Sequence, residues 1–365
     1  MARVLTAIVS DLHVASTMEG FDLASRPEVR ERLLPVLDDA DQVVLLGDLV
    51  ELRERPLLEA LETARPLLQA IGERTAGKRV LITPGNHDHQ LAEPWLERAR
   101  LAGTPLGIES EWPVRPSDGI AGRIAEWMPD SELVVAYPGF RPRPDVYVTH
   151  GHYLDLHLTV PRLESIVVSL VGRATGRRRA ACRAPDDYEA VVGPLYALLY
   201  GIAQGASAGT LARGGSLSRR VWERASDRDG RHRVSRLLLG RVTIPGAVAA
   251  LNGLGLGPFR PDISGAELRR AGLRAIGTVT DSLGVSAEHV IFGHTHRPGP
   301  LPGDEPSDWS TPGGARLWNT GSWLWEPALM QSEGPSPYRP GTVLYLRDEG
   351  PPELTNALEG LGSAF

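Results

Sequence analysis

The chain has 365 residues, 42% of them hydrophobic, and a formal net charge of −6 at pH 7. That length suffices for one large domain or two ordinary ones with a sizeable buried core. The charge balance, with no long basic tail, counts against an obligate nucleic-acid binder. A single cysteine, Cys182, excludes an intrachain disulfide framework and a cysteine-based zinc site, and accords with a reducing, cytoplasmic setting.

Residues 4–10 form a β-branched apolar run that Ser10, Asp11 and His13 interrupt at once. The run is too short for a signal-peptide core and predicts the first core strand. Residues 27–38 show helical periodicity, with Val29, Leu33, Leu34 and Val36 available for a buried face. A second strand is expected at 42–46, a second helix at 56–74, and further strands at 79–83 and 145–149. Residues 158–284 differ: they are rich in Arg, Ala, Leu and Gly and lack strong strand runs. They predict a mainly helical insert with helices at 160–170, 187–203, 216–225 and 265–283, and a Gly/Ala/Ser-rich loop at 205–215. The β pattern resumes at 289–292, 315–318 and 342–346. Strands alternating with helices predict an α/β fold. No stretch reaches the roughly 20 apolar residues of a membrane-spanning helix.

The predicted strands run straight into polar clusters. These read Ser10-Asp11-Leu12-His13, Gly47-Asp48, Pro84-Gly85-Asn86-His87-Asp88, Thr149-His150-Gly151-His152 and Gly293-His294-Thr295-His296. Counting His89, directly after Asp88, seven of the ten histidines fall in these clusters. Groups gathered past the carboxyl ends of strands are where open α/β sheets hold ligands. Each cluster alone is weak. A D-x-H tripeptide also reads as a capped strand end, Gly-Asp as a turn, and two alternating histidines as an even wager on metal.

Together and in this order, the clusters closely resemble the calcineurin-like metallophosphoesterase superfamily. The resemblance covers residues 1–157 and 288–322 and leaves out the insert. It implies a four-layer α/β/β/α sandwich of two mixed sheets flanked by helices. On that basis residues 1–157 and 285–365 make the core and 158–284 a cap. It also implies one metal ion on Asp11, His13, Asp48 and His296 and a second on Asp48, Asn86, His150 and His294, with Asp48 shared. Donor chemistry agrees, since carboxylate, amide oxygen and imidazole suit first-row ions: Mn²⁺ foremost, with Fe, Zn or Ni as alternatives. A shared carboxylate holds two such ions roughly 3.5–4 Å apart, the spacing used to bridge a hydroxide that attacks phosphorus. By the same resemblance His87 protonates the leaving oxygen and Asp88 orients its ring.

Other positions are open at this level. His152 is a candidate for substrate contact or for support of the ligands. Arg297 could meet a phosphate or form a surface salt bridge. His89, Asp155 and His157 read as polar loop residues at the mouth, Glu51 and Arg53 carry no assignment, and Asn319 to Ser322 resemble a supporting turn. Leu163, Ile166, Val167, Leu170 and Val171 give the insert an apolar face beside Arg173, Arg177, Arg178, Arg179 and Arg183. That pairing suits an amphiphilic phosphate or an anionic membrane surface, and a similar layout occurs in the UDP-diacylglucosamine hydrolase branch of the superfamily. The plainer alternative is packing plus a solvated basic face. Tyr188, Tyr196, Tyr200 and Trp222 belong to either core or cleft. The expected function is therefore hydrolysis of a small-molecule or lipid-type phosphoester, mono- or diester, by a cytoplasmic protein able to sit at the inner face of the membrane. A nuclease, a protein phosphatase and a non-catalytic metal-binding scaffold are the alternatives.

Overall fold

The computed structural model describes residues 4–17, 22, 26–177, 179–205, 244–262, 264–325 and 336–361. The helix expected at 216–225, Trp222, Arg178 and the loop past residue 205 lie outside them. Among the described residues, eleven strands form two sheets. The larger contains β1 (Thr6–Val9), β2 (Gln42–Leu45), β3 (Arg79–Ile82), β4 (Glu111–Pro113), β5 (Glu132–Ala136), β10 (Thr342–Leu346) and β11 (Glu353–Asn356), in the order β11-β10-β1-β2-β3-β5-β4. Its central strands β1, β2, β3 and β5 are parallel, and β4, β10 and β11 pair antiparallel. The smaller sheet runs β6 (Gly139–Arg143), β7 (Val146–Thr149), β8 (His289–Phe292), β9 (Arg316–Asn319), with β7, β8 and β9 parallel and β6 antiparallel.

The layers follow from alternation of side chains along each strand. Ile8, Val44, Leu81 and Val134 point inward and meet Phe140, Val146, Val148 and Ile291 of the smaller sheet in one apolar layer. Their neighbours Ala7, Val9, Val43, Leu45, Val80, Ile82 and Val135 face outward against α1 (Pro27–Asp38) and α2 (Leu57–Arg74). On the other side Tyr147, Val290, Phe292 and Leu317 face outward against α8 (Gly265–Ser282). The result is two mixed sheets between helices, the four-layer α/β/β/α arrangement. The remaining described helices are α3 (Glu93–Ala102), α4 (Gly119–Ala125), α5 (Leu163–Ala174), α6 (Pro185–Gly205) and α7 (Ile244–Gly253).

Within the expected insert, α8 covers the smaller sheet through Ala271, Ala275, Ile276 and Val279. α5 and α6 pack on each other and on residues 152–156. The arginines of the insert are engaged internally. Arg173 donates to the Leu254 carbonyl at 2.6 Å, and Arg179 donates to the carbonyls of Leu256 and Gly257 at 3.1 and 2.7 Å. Arg177 pairs with Asp187 at 3.1 Å, and Arg183 donates to the Cys182 carbonyl at 2.9 Å. Val168 of α5 is fully buried, whereas Leu170, expected on the apolar face, is 53% exposed. No described helix is long and apolar enough to cross a membrane.

Candidate metal centre

The strand ends β1, β2, β3, β7 and β8 meet along one edge. Asp11 N–H donates to the Gly47 carbonyl at 3.0 Å, His13 N–H to the Asp48 carbonyl at 2.8 Å, and Gly293 N–H to the His150 carbonyl at 3.0 Å. Five of the expected ligands take left-handed backbone: Asp11, His13, Asp48, His294 and His296, with φ between 45° and 65°. Such conformations cost non-glycine residues about 1–3 kcal/mol each and gather where function fixes geometry. Gly85 shows how tightly the edges close. A Cβ there would collide with the Asp48 Oδ1 and would lie 2.7 Å from His150 Nε2.

The donor atoms fall into two sets around Asp48. Oδ2 of Asp48 lies 3.4 Å from His150 Nε2 and 3.6 Å from His13 Nε2, while Asp11 Oδ1 lies 3.3 Å from His296 Nε2 and 4.0 Å from His13 Nε2. The Asn86 carboxamide reaches His294 Nδ1 at 3.0 Å and Asp48 Oδ2 at 3.2 Å. Donors about 2.1 Å from a common ion stand roughly 3.0–3.4 Å apart, so most of these edges match. Asp11 Oδ1, His13 Nε2 and His150 Nε2 are buried without a hydrogen-bond partner. Buried polar atoms so converged without a hydrogen bond are unfavourable unless a cation joins them, a metal ion or, in its absence, a proton on the imidazoles. The oxygen of Asn86 likewise faces acceptors only. These observations fit metal ions, and the structure brings Asp11, His13, Asp48, Asn86, His150, His294 and His296 close together.

The second ring nitrogen of each histidine sets which nitrogen is left for metal. His150 Nδ1 donates to the Leu46 carbonyl at 3.0 Å and leaves Nε2. His294 is opposite: its Nε2 pairs with Asp155 Oδ1 at 3.0 Å and leaves Nδ1. His13 Nδ1 lies 3.2 Å from Glu51 Oε2, which also holds His87 Nδ1 at 2.6 Å. One carboxylate therefore orients both a ligand and the expected proton donor, whose side chain is 25% exposed.

Three expectations change here. Asp88 does not orient His87. Its carboxylate accepts from the backbone N–H groups of Gly85 at 2.7 Å, Leu49 at 2.8 Å and Asp48 at 3.2 Å, so it ties the second and third motifs together. Glu51 takes the orienting place, because residue 51 follows the β2 turn and returns beside both rings. Arg297 is held by Asp304 through two contacts of 2.8 and 2.6 Å and stacks over Trp309, so it does not face the ligands. Asp155, read as a loop residue, supports His294. His152 stands behind the ligands, its Nε2 3.0 Å from the Tyr137 hydroxyl. Burial, then the neighbouring His150, His89 and His294, hold its pKa well below the usual imidazole range, so it is neutral at pH 7.

Electrostatics within the cluster oppose burial. Burial alone would raise the Asp48 pKa, but His150, His87 and His13 outweigh it and hold Asp48 well below the carboxylate range. Burial would discharge His150, yet Asp48 and Asp11 lift its pKa to about 9. His13 is raised in the same sense, against burial, by Glu51 and Asp48. An imidazolium cannot ligate, so ion uptake by the metal-free protein must release these protons. Apparent metal affinity is expected to weaken as pH falls below 9, by about tenfold per unit for His150 alone. Calorimetric titration with Mn²⁺ in buffers of different ionisation enthalpy counts the protons released. An affinity unchanged from pH 9 to 7 would contradict the assignment of His150 as a ligand.

The two-sheet sandwich with carboxylate, amide and imidazole donors at its strand ends defines a metal-dependent hydrolase. The calcineurin-like phosphoesterase family matches the chain over residues 5–187, from β1 through the first turn of α6, and the chain belongs to that family. It is accordingly of the metal-dependent phosphoester hydrolase class. No curated protein matches it.

Proposed function

We propose that the protein hydrolyses a small-molecule or lipid-type phosphoester, mono- or diester, with two first-row ions, Mn²⁺ foremost, in the donor sets that share Asp48. The observation that carries this reading is that Asp11 Oδ1, His13 Nε2 and His150 Nε2 are buried without a hydrogen-bond partner and belong to overlapping His/Asp groups able to hold a metal ion. When bound, such ions lower the pKa of a water and neutralise charge on the phosphoryl oxygens.

The chain's own groups do the rest. Glu51 accepts from His87 Nδ1, which fixes the ring and leaves Nε2 toward the open side of the site. A proton on that nitrogen can pass to the departing oxygen of the ester. Burial raises the Glu51 pKa, but His87 and His13 outweigh it and keep the carboxylate charged. That carboxylate holds the His87 ring in place.

The insert supports a discrete and partly apolar substrate. Leu170, Leu198, Ile202 and Leu254 are 49–61% exposed on its helices, which also suits contact at a membrane surface. The arginines at and after the end of α5 contribute less to this reading than the sequence suggests, because Arg173, Arg177, Arg179 and Arg183 already serve a carbonyl or carboxylate. Purified protein loaded with Mn²⁺ is expected to release nitrophenol from p-nitrophenyl phosphate or its bis ester. Protein shown to hold two ions yet inactive with Mn²⁺, Fe²⁺, Zn²⁺ and Ni²⁺ would sink the proposal.

A further inference from the structure

One side chain of the insert stands out because it is a buried donor that nothing satisfies. Tyr196 of α6 is 1% exposed, and its hydroxyl has no hydrogen-bond partner among the described residues. Leaving a buried hydroxyl unmet is unfavourable. Such a cost persists where a ligand or a trapped water takes the bond.

The way α6 docks explains where the hydroxyl goes. Glu189, Val192 and Tyr196 are three and four residues apart and share one helix face. Glu189 anchors that face to the core. Its carboxylate accepts from the Tyr137 hydroxyl at 2.5 Å and the Tyr153 hydroxyl at 2.6 Å and lies 3.0 Å from His89 Nε2. Two turns on, the Tyr196 ring packs against His89 at 5.3 Å and edge-on to His152 at 5.7 Å. His152 in turn lies 5.7 Å from His150. The ring is thus packed against His89 and His152, one ring removed from His150, and the charges acting on its hydroxyl are Asp155, Arg53, Glu189 and Asp48. Asp155 holds His294, and the Arg53 guanidinium lies 2.8 Å from the Asn86 amide. Asp155 Oδ2 is itself buried without a partner. Asp155 and Arg53, the first two charged groups acting on the hydroxyl, thus both adjoin the donor set formed by Asp48, Asn86, His150 and His294.

We propose that Tyr196 reaches out of the insert to donate its hydroxyl to a phosphoryl oxygen of the substrate at this donor set, making α6 part of the phosphate-binding wall. The inference rests on the phosphoesterase reading above. It gives the insert a chemical task beyond covering the site: Glu189 sets the helix, and Tyr196 touches the ligand. A phosphate oxygen is an acceptor and fits the unmet donor. It also brings negative charge to a place where Arg53 stands ready.

The test uses the full chain loaded with Mn²⁺ and the variants Tyr196→Phe and Tyr200→Phe. Tyr200 lies one turn further along α6 and is half-buried against the helix–sheet core, so its variant is the control. Tyr196→Phe is expected to keep wild-type metal content and an unchanged or slightly raised melting temperature, since no bond is lost. It is expected to bind orthophosphate about tenfold more weakly by calorimetry, and to lose about tenfold in kcat/KM on p-nitrophenyl phosphate. Tyr200→Phe is expected to match wild type in all four measurements. Unchanged orthophosphate binding and turnover in Tyr196→Phe would overturn the inference, and the hydroxyl would then hold a water. A lowered melting temperature with unchanged phosphate binding would also overturn it, by revealing a structural partner. Absence of turnover and of orthophosphate binding in the loaded wild type would overturn the phosphoesterase reading, and this inference with it.

Discussion

Asp48→Asn is expected to remove most of the bound metal and to lower kcat/KM by at least about 10³-fold, equivalent to about 4 kcal/mol of transition-state stabilisation. Asp48 is the atom bridge between the two donor sets. Its Oδ2 lies 3.4 Å from His150 Nε2 and 3.6 Å from His13 Nε2, and within 3.2 Å of the Asn86 amide. An amide of the same size keeps the van der Waals packing and can keep the bond that Oδ1 accepts from the His87 backbone N–H at 2.8 Å. It loses the negative charge. A neutral oxygen cannot balance two dications at one point, so the variant separates charge from shape. The substitution also removes the carboxylate that sustains the His150 imidazolium, so the metal-free variant should lose the pH dependence of its metal uptake near pH 9. Metal analysis of the dialysed protein, with circular dichroism to establish folding, reads the result. Two ions retained at wild-type turnover would remove Asp48 from the centre of the site.

The parts of this site visible in the sequence are those that local chain geometry dictates. Apolar runs at β1, β2, β3, β7 and β8 each end in a glycine or polar residue, and the ligands sit one or two positions later. Side chains so close to a strand end have few places to go. Glu51 and Asp155 were not legible in the same way. Glu51 meets His87 from 36 positions away and Asp155 meets His294 from 139 positions away. Nothing local distinguishes them from other loop carboxylates. The carboxylate at 88 appeared the better partner for His87 because it is adjacent in sequence. Adjacent side chains on a turning backbone diverge, and Asp88 is drawn inward by N–H groups of the second motif that have no other acceptor.

Among the strands, the same logic separates found from missed. β4, β6 and β11 lie at sheet edges, where one side of the ladder is open. They carry Pro113, Pro142 and alternating polar residues, which interior strands would exclude. β5 is the exception: Glu132–Ala136 is apolar and interior, but it is five residues long and follows a short helix. In the insert, α7 begins Ile-Pro-Gly and includes Gly246 and Gly253, so its helical pattern is weak. It is held by Val248 against Leu256 and Phe259, and its end is capped by Arg173 and Arg179 from α5 and the segment after it. The arginine cluster that suggested an anionic ligand is thus partly a set of helix-end donors.

His87→Ala is expected to lower kcat by about 10²–10⁴-fold on alkyl phosphoesters while metal content stays at the wild-type level. We read the ring as the proton donor, although it also lies with His13 and Asp48 in a group able to hold a metal ion. Its Nδ1 is taken by Glu51 at 2.6 Å, and its side chain is the most exposed of the cluster at 25%, with His296 next at 19% and His13 at 4%. The loss should depend on the leaving group. Nitrophenolate departs without a proton, so p-nitrophenyl phosphate should suffer least, and esters of ordinary alcohols most. Glu51→Gln makes the complementary case. Glu51 touches both His87 and His13, so the neutral variant should lose the leaving-group effect and also bind metal more weakly at the Asp11–His13–His296 set. Comparing the two variants on a series of leaving groups separates proton donation from ligand support. Metal loss in His87→Ala would make the residue a ligand, and an equal penalty across all leaving groups would remove its role as an acid.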